Sequence, residues 1–250
     1  MIEVMNIHKS FGDNLVLKGI SSQFKPGQVN MIIGSSGTGK SVLLKCIVGL
    51  ERPDVGTVLY NGRDFTAANR MQQIEIRREI GMLFQGAALF DSKTVEENVR
   101  FPLDILTNLT LDEKLDKVNQ ILTRVGLENS NKLMPSELSG GMKKRVGIAR
   151  ALVNNSRYLF CDEPNSGLDP QTSILIDHLI QDLTAEFKTT TVVVSHDMNS
   201  VMQIGDYIMF MYEGSKVWEG SKDTVLASDT KDFNDFVFAT NLMRRIKDMS

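Results

Sequence analysis

The stretch VNMIIGSSGTGKSVLLKCI, residues 29–47, constrains the fold of this chain more than any other. An unbroken apolar run meets a loop of the pattern G-x-x-x-x-G-K-[ST], with Gly34, Gly39, Lys40 and Ser41 at the defining positions, and an apolar helical pattern follows. A strand apolar on both faces has to be buried on both, which places it inside a mainly parallel sheet covered by helices. The loop also implies its chemistry. Glycines let successive backbone N–H groups turn inward as a nest for an anion, and the helix N-terminus adds its partial positive charge. Lys40 reaches the outer phosphates and the Ser41 hydroxyl ligates magnesium.

The remaining chain fits such a sheet. Apolar runs at 2–5, 80–84, 158–162, 190–195 and 207–212 are bounded by Gly, Pro, Asn or Asp and read as strands. Helical patterns lie between them. Thr110 and Glu113 form a capping box, Leu115, Val118, Leu122 and Val125 follow at helical spacing, and Gly126 ends the run. A second pattern places Leu175, Ile176, Leu179, Ile180 and Leu183 on one face. Strands alternating with helices imply an α/β fold with a mainly parallel core sheet. Residues 86 to about 152 show helices and no convincing strand, so they are expected to be an inserted helical subdomain. Strands around 15–24 and 57–62 suggest a smaller N-terminal antiparallel β layer. Residues 1–231 read as one domain, and 232–250 as a terminal amphipathic helix with Phe233, Phe236, Val237 and Met243 on one side. That side packs either on its own domain or on a partner.

At 250 residues the chain can bury a full core without a partner. Its 28 basic and 31 acidic residues sum to −3, which is no electrostatic footprint for nucleic acid. Cys46 and Cys161 sit in apolar surroundings and are expected to be buried free thiols, as a reducing cytosol allows. The N-terminus lacks the pattern of a signal peptide, and no apolar run approaches the roughly 20 residues that span a bilayer. Any membrane-spanning part is expected to come from other chains.

Three further motifs suit a nucleotide site. YLFCDE, 158–163, ends a buried strand in Asp162, placed to hold magnesium through water, and Glu163, placed to orient and deprotonate an attacking water. His196 follows the strand at 190–195 and can hydrogen-bond a γ-phosphate and fix that water. Gln85 ends MLFQ at a strand end, where its amide can sense magnesium and nucleotide.

Phosphate loop, Gln85, LSGG at 138–141, acidic strand end, SGLD at 166–169 and His196 occur in that order, and with them nearly the whole chain resembles an ABC-type ATPase. The resemblance implies a P-loop NTPase fold that binds ATP and Mg2+. Ser35, Ser36, Gly37, Thr38 and Val42 contact nucleotide together with Gly34, Gly39, Lys40 and Ser41; Phe11 stacks on adenine, and Asp169 communicates across a dimer interface. It also implies a role for the bare LSGG turn, which covers the ATP held by the phosphate loop of a second copy. Ser139 and the N–H groups of Gly140 and Gly141 then act as a second anion cradle, whereas an N-cap by Ser139 alone explains neither glycine. The magnesium shell is Ser41, Gln85 and Asp162, and the catalytic groups are Glu163, His196 and Lys40.

Met142 stands where the family usually has Gln. LSGGM, with KLMPSELSGGM (132–142), LFQGAALFDSKTVEENVRFPL (83–103) and SVLLKCIVGL (41–50), is similar to ATPases of Mla-type lipid-asymmetry transporters. That resemblance implies a homodimer on the cytoplasmic face of the inner membrane, integral membrane permease subunits, phospholipid cargo, an MCE-type lipid-binding protein and, in some relatives, a STAS-like subunit. The segment after Gln85 is then either the contact for a permease helix or ordinary core. An importer ATPase for another small solute, or a cytosolic scaffold-associated ABC ATPase, are the alternatives. A GTPase or kinase reading lacks an NKxD motif and leaves LSGG unexplained.

Overall fold

The structure is a computed structural model and describes residues 1–239. Six strands form the central sheet: β3 (Gln28–Ile33), β6 (Ile80–Leu83), β7 (Tyr158–Asp162), β8 (Thr190–Ser195), β9 (Tyr207–Tyr212) and β10 (Ser215–Gly220), in the order β10-β9-β3-β8-β7-β6. All neighbours pair in parallel except β10, which runs antiparallel to β9 at the edge. A second, antiparallel sheet has the order β2-β1-β4-β5, from β1 (Ile2–Phe11), β2 (Asn14–Phe24), β4 (Val55–Tyr60) and β5 (Arg63–Asp64). β10, SKVWEG, carries Lys216 and Glu219 on either side of Val217 and Trp218, lies at an edge and was not among the expected strands.

Two cores lie on opposite faces of the central sheet, sorted by the two-residue period of its strands. Met31, Leu159, Cys161, Val193 and Phe210 face one core, with Ile176 and Ile180 of α6 (Pro170–Phe187). Ile32, Phe160, Val192, Val194 and Met209 face the other, with Leu43 and Ile47 of α1 (Lys40–Val48) and the inner side of the antiparallel sheet. Both thiols are buried, and burial pushes Cys46 up to about 11 and Cys161 up to about 12.

Between β6 and β7 the chain forms α3 (Val95–Leu106), α4 (Leu111–Arg124) and α5 (Gly140–Leu152), and no strand. The capping box of α4 is present, with Thr110 Oγ1 accepting from Glu113 N–H and Glu113 Oε2 from Thr110 N–H. α5 packs on both α3 and β6. On α6 the buried face differs from the expected one: Ile176, Ile180 and Leu183 are buried with Asp177 and Thr184, while Leu175 is 54% exposed. Leu175 lies about 100° around the helix from Ile176, far enough to turn it to solvent. α8 (Lys231–Val237) covers part of the expected terminal helix; Phe233 stacks flat on Trp218 of β10, ring centroids 4.0 Å apart, so this part packs on its own domain. Met243 lies outside the described residues.

Candidate functional site

Parallel register carries the motifs to one edge of the sheet. Ile33 pairs with Ser195, Asp162 with Val194 and Leu83 with Cys161, so Gly34, Gln85, Glu163 and His196 all leave the sheet on the same side. Ser35, Ser36, Gly37, Gly39, Lys40, Ser41, Val42, Gln85, Glu163 and His196 border a single cavity of about 700 Å³. Gly34 has φ +149°, and a Cβ there would lie 2.3 Å from the Met211 carbonyl oxygen, so the strand-to-loop turn admits glycine alone. Thr38 closes the loop by donating to the Ser35 carbonyl at 2.9 Å. Gly39 begins α1 with no side-chain cap, leaving the first N–H groups of the helix for the cavity.

Lys40, 6% exposed, donates to the Gly34 and Ser35 carbonyls, each at 2.8 Å. Burial lowers its pKa, opposed by the charges of Glu163 and Asp162. Ser41 Oγ donates to Asp162 Oδ1 at 3.1 Å, and Gln85 Nε2 donates to Ser166 Oγ at 3.2 Å. A hydroxyl, a carboxylate and an amide oxygen are the hard donors that Mg2+ takes alongside phosphate and water. Among the described residues no cluster of three or more His, Cys, Asp or Glu could hold a metal.

Glu163 sits in the left-handed region at φ +48°, and its Oε1 lies 2.9 Å from His196 Nδ1. The imidazole is therefore in direct contact with the carboxylate, with its side chain 66% exposed against 16% for Glu163.

Phe11 does not line the cavity. It ends β1 opposite Asn14, 48% exposed, with Lys9 Nζ 5.2 Å from its ring centroid. Val16 of β2 and Phe236 of α8, neither expected from the sequence, line it instead; Phe236 also packs on Phe210 at 5.2 Å. Ser139 and Gly140 lie exposed, away from this cavity, and Ser139 Oγ accepts from Met142 N–H at 3.2 Å as the N-cap of α5. Asp169 caps α6, accepting from Thr172 N–H at 3.0 Å and Thr172 Oγ1 at 2.5 Å. Gly141 has a reason to be glycine within its own chain, since a Cβ there would lie 2.6 Å from Thr172 Cγ2, a side chain held in place by Asp169.

Lys144 escaped the sequence reading. It is 4% exposed, and its Nζ donates to the backbone carbonyls of Gln85 and Glu163. Burial lowers its pKa against the opposing pull of Cys161, Glu163 and Asp162. The available signal was its place on a buried stripe of α5 with Gly141, Ile148 and Ala151, at helical spacing.

A phosphate loop on a parallel sheet, with an acidic strand end and an antiparallel layer, defines a nucleotide-binding domain of the P-loop ATPase class. A family model described as ABC transporter matches residues 17–166, and the chain belongs to that family. It is 39% identical over 228 residues to "Probable ribonucleotide transport ATP-binding protein mkl" of Mycobacterium leprae, covering 91% of this chain and 66% of that protein. It is 43% identical over 219 residues to "Methionine import ATP-binding protein MetN" of Clostridium tetani, covering 87% and 68%. The chain thus spans just under two thirds of the length of the first of these. Among solved structures, the dimeric post-hydrolysis state of the ATP-binding cassette MJ0796 bound to ADP and Pi superposes with a TM-score of 0.80 at 32% identity, covering 89% of this chain and 99% of that one. The fold is that of an ABC-type ATPase. Among the described residues, no helix is long and apolar enough to cross a membrane.

Proposed function

We propose that this chain is the ATP-hydrolysing subunit of an ABC transporter, acting as a homodimer around two Mg-ATP and driving membrane permease subunits from the cytoplasmic face. The observation that carries the reading is spatial. One cavity gathers Lys40, Ser41, Gln85, Glu163 and His196, while Ser139 and Gly140 of the LSGG turn lie exposed elsewhere on the surface. The second half of each site then comes from another copy, in keeping with the dimeric state of the MJ0796 cassette.

In this reading the loop N–H groups and Lys40 bind the β- and γ-phosphates. Ser41, Asp162 and Gln85 hold Mg2+, which when bound neutralises charge on the phosphate oxygens. Glu163 accepts the proton of the attacking water, and His196, 2.9 Å from its carboxylate, orients it and reaches toward the γ-phosphate. Ser139 of the second copy caps that phosphate, and Asp169 contacts the partner. The ring of Phe11, outside the cavity lining but exposed, offers a face for adenine.

A separate apolar cavity of about 320 Å³, lined by Phe84, Phe90, Phe101, Pro102 and Leu106, lies between β6 and α3 and suits a cytoplasmic helix of the permease. For cargo, the LSGGM turn and the segments at 41–50, 83–103 and 132–142 favour phospholipid, with an MCE-type lipid-binding protein and a STAS-like subunit as further partners. The names of the relatives favour a second reading, import of a small solute such as methionine or a ribonucleotide. Purifying the chain from native membrane and identifying the permease and any bound lipid separates the two.

The chemistry has its own test. Glu163→Gln is expected to keep ATP affinity, to lose hydrolysis by about 100-fold or more, and to accumulate as an ATP-bound dimer in light scattering. Turnover close to that of the unaltered chain would remove Glu163 as the base.

A further inference from the structure

Three motifs distant in sequence meet at one buried ammonium. Lys144 stands on α5, five residues after the LSGG serine, and its Nζ donates to the carbonyl of Gln85 and, at 3.3 Å, to that of Glu163. Gln85 follows β6 and Glu163 follows β7, so a single cation bridges the ends of two neighbouring strands and the helix that LSGG begins. Further along the same helix, Arg150 grips the same loop: its guanidinium donates to the Ala87 and Ala88 carbonyls at 2.6 and 2.8 Å. Ala87 and Ala88 both have positive φ, 59° and 46°, a conformation that non-glycine residues hold only where their surroundings enforce it.

An ammonium is costly to bury, and an apolar side chain of the same length would fill the space without that cost. Packing alone therefore does not account for a cation here. What the ammonium adds is directed hydrogen bonding, with up to three donors and no acceptor, onto the two carbonyls within its reach.

We propose that Lys144 is a positioning residue that ties the backbones of Gln85 and Glu163 to the LSGG helix, so that the magnesium-shell amide and the general base move as one body with α5. The proposal rests on the ATPase reading of the site. Without the tether, β6 and β7 still pair, but the residues beyond their ends lose their common anchor. Contact of the LSGG turn with a second copy's nucleotide then no longer registers at Gln85 and Glu163 of its own chain.

The test compares Lys144→Met, of similar length with no donor, with Lys144→Gln, which is neutral but keeps two N–H donors, both in the full-length chain. ATPase kcat and KM, affinity for a fluorescent ATP analogue, and thermal midpoint are measured for each. Lys144→Met is expected to lose kcat by about tenfold or more, with nucleotide affinity and thermal midpoint unchanged. Lys144→Gln is expected to recover most of that loss. A Lys144→Met kcat within twofold of the unaltered chain overturns the proposal. So does a Lys144→Gln variant as impaired as Lys144→Met, or a loss of kcat matched in both variants by loss of thermal stability and nucleotide affinity. An unaltered chain that neither binds nor hydrolyses ATP refutes the ATPase reading itself, which the Lys144 comparison alone does not.

Discussion

Asp177, on α6, is 2% exposed, and its Oδ1 accepts from Asn165 Nδ2 at 2.8 Å; the same amide nitrogen donates to Ser200 Oγ at 3.0 Å. The network joins the turn after Glu163 to α7 (Met198–Ile204), which follows His196. Asn165 Oδ1 is buried with no hydrogen-bond partner. Burial raises the Asp177 pKa above 3.8, only partly offset by hydrogen bonds from Ser200 and Asn165. A carboxyl whose folded pKa is raised binds its proton more tightly when folded. Ionisation therefore costs stability above the folded pKa, and the cost fades as pH falls toward the unfolded value. Asp177→Asn is accordingly expected to raise stability at neutral pH, with the gain shrinking as pH falls into the ordinary carboxylate range, as read from urea midpoints. Lower stability of the variant at neutral pH would show that the carboxylate's hydrogen bonds outweigh its burial. The sequence ILIDHLI shows a charge inside an apolar helix but not what faces it. Asn165 lies 12 residues away and meets Asp177 only through the fold.

At the scale of elements, legibility followed the locality of the signal. The capping box at Thr110 and the phosphate loop each lie within a few residues, and both form where the pattern places them. β10 was hidden because an edge strand needs only one partner and carries charges that blur its alternation. Gly81 lies inside β6, and the reason for it lies outside the strand. A Cβ there would stand 2.1 Å from the Ala151 carbonyl oxygen, because α5 crosses the strand at close range. Gly81→Ala is expected to cost about 3 kcal/mol by pushing α5 off the sheet. A urea midpoint unchanged by the substitution would mean that helix and strand do not press together as closely as described. Since α5 also carries Lys144 and Arg150, the same packing supports both grips on the loop after β6.

For the whole molecule, the parallel order of β6, β7, β8 and β3 delivers four motifs to one edge, and in the proposed dimer Ser139 and Gly140, exposed on a second copy, supply the half that this edge lacks. A composite site of this kind predicts separable binding and assembly. Ser139→Arg, placed in the Glu163→Gln background, is expected to bind ATP as tightly as that background while no longer forming its ATP-dependent dimer in light scattering, since the arginine obstructs close approach of the turn to a phosphate. Dimerisation undiminished by the arginine would count against a sandwich closed by LSGG. Read alone, the amino-acid sequence determined the phosphate loop, the acidic strand end and the parallel α/β layout, because each is written in glycine requirements and periodicities within a short window, and the order of its motifs carried the resemblance to the family. Only the tertiary structure decided that Lys144 holds Gln85 and Glu163, that Glu163 meets His196, that Asn165 meets Asp177 and that Gly141 makes room for Thr172. Those contacts depend on where backbone carbonyls and side chains of distant segments come to lie, and no local pattern of residues encodes that distance.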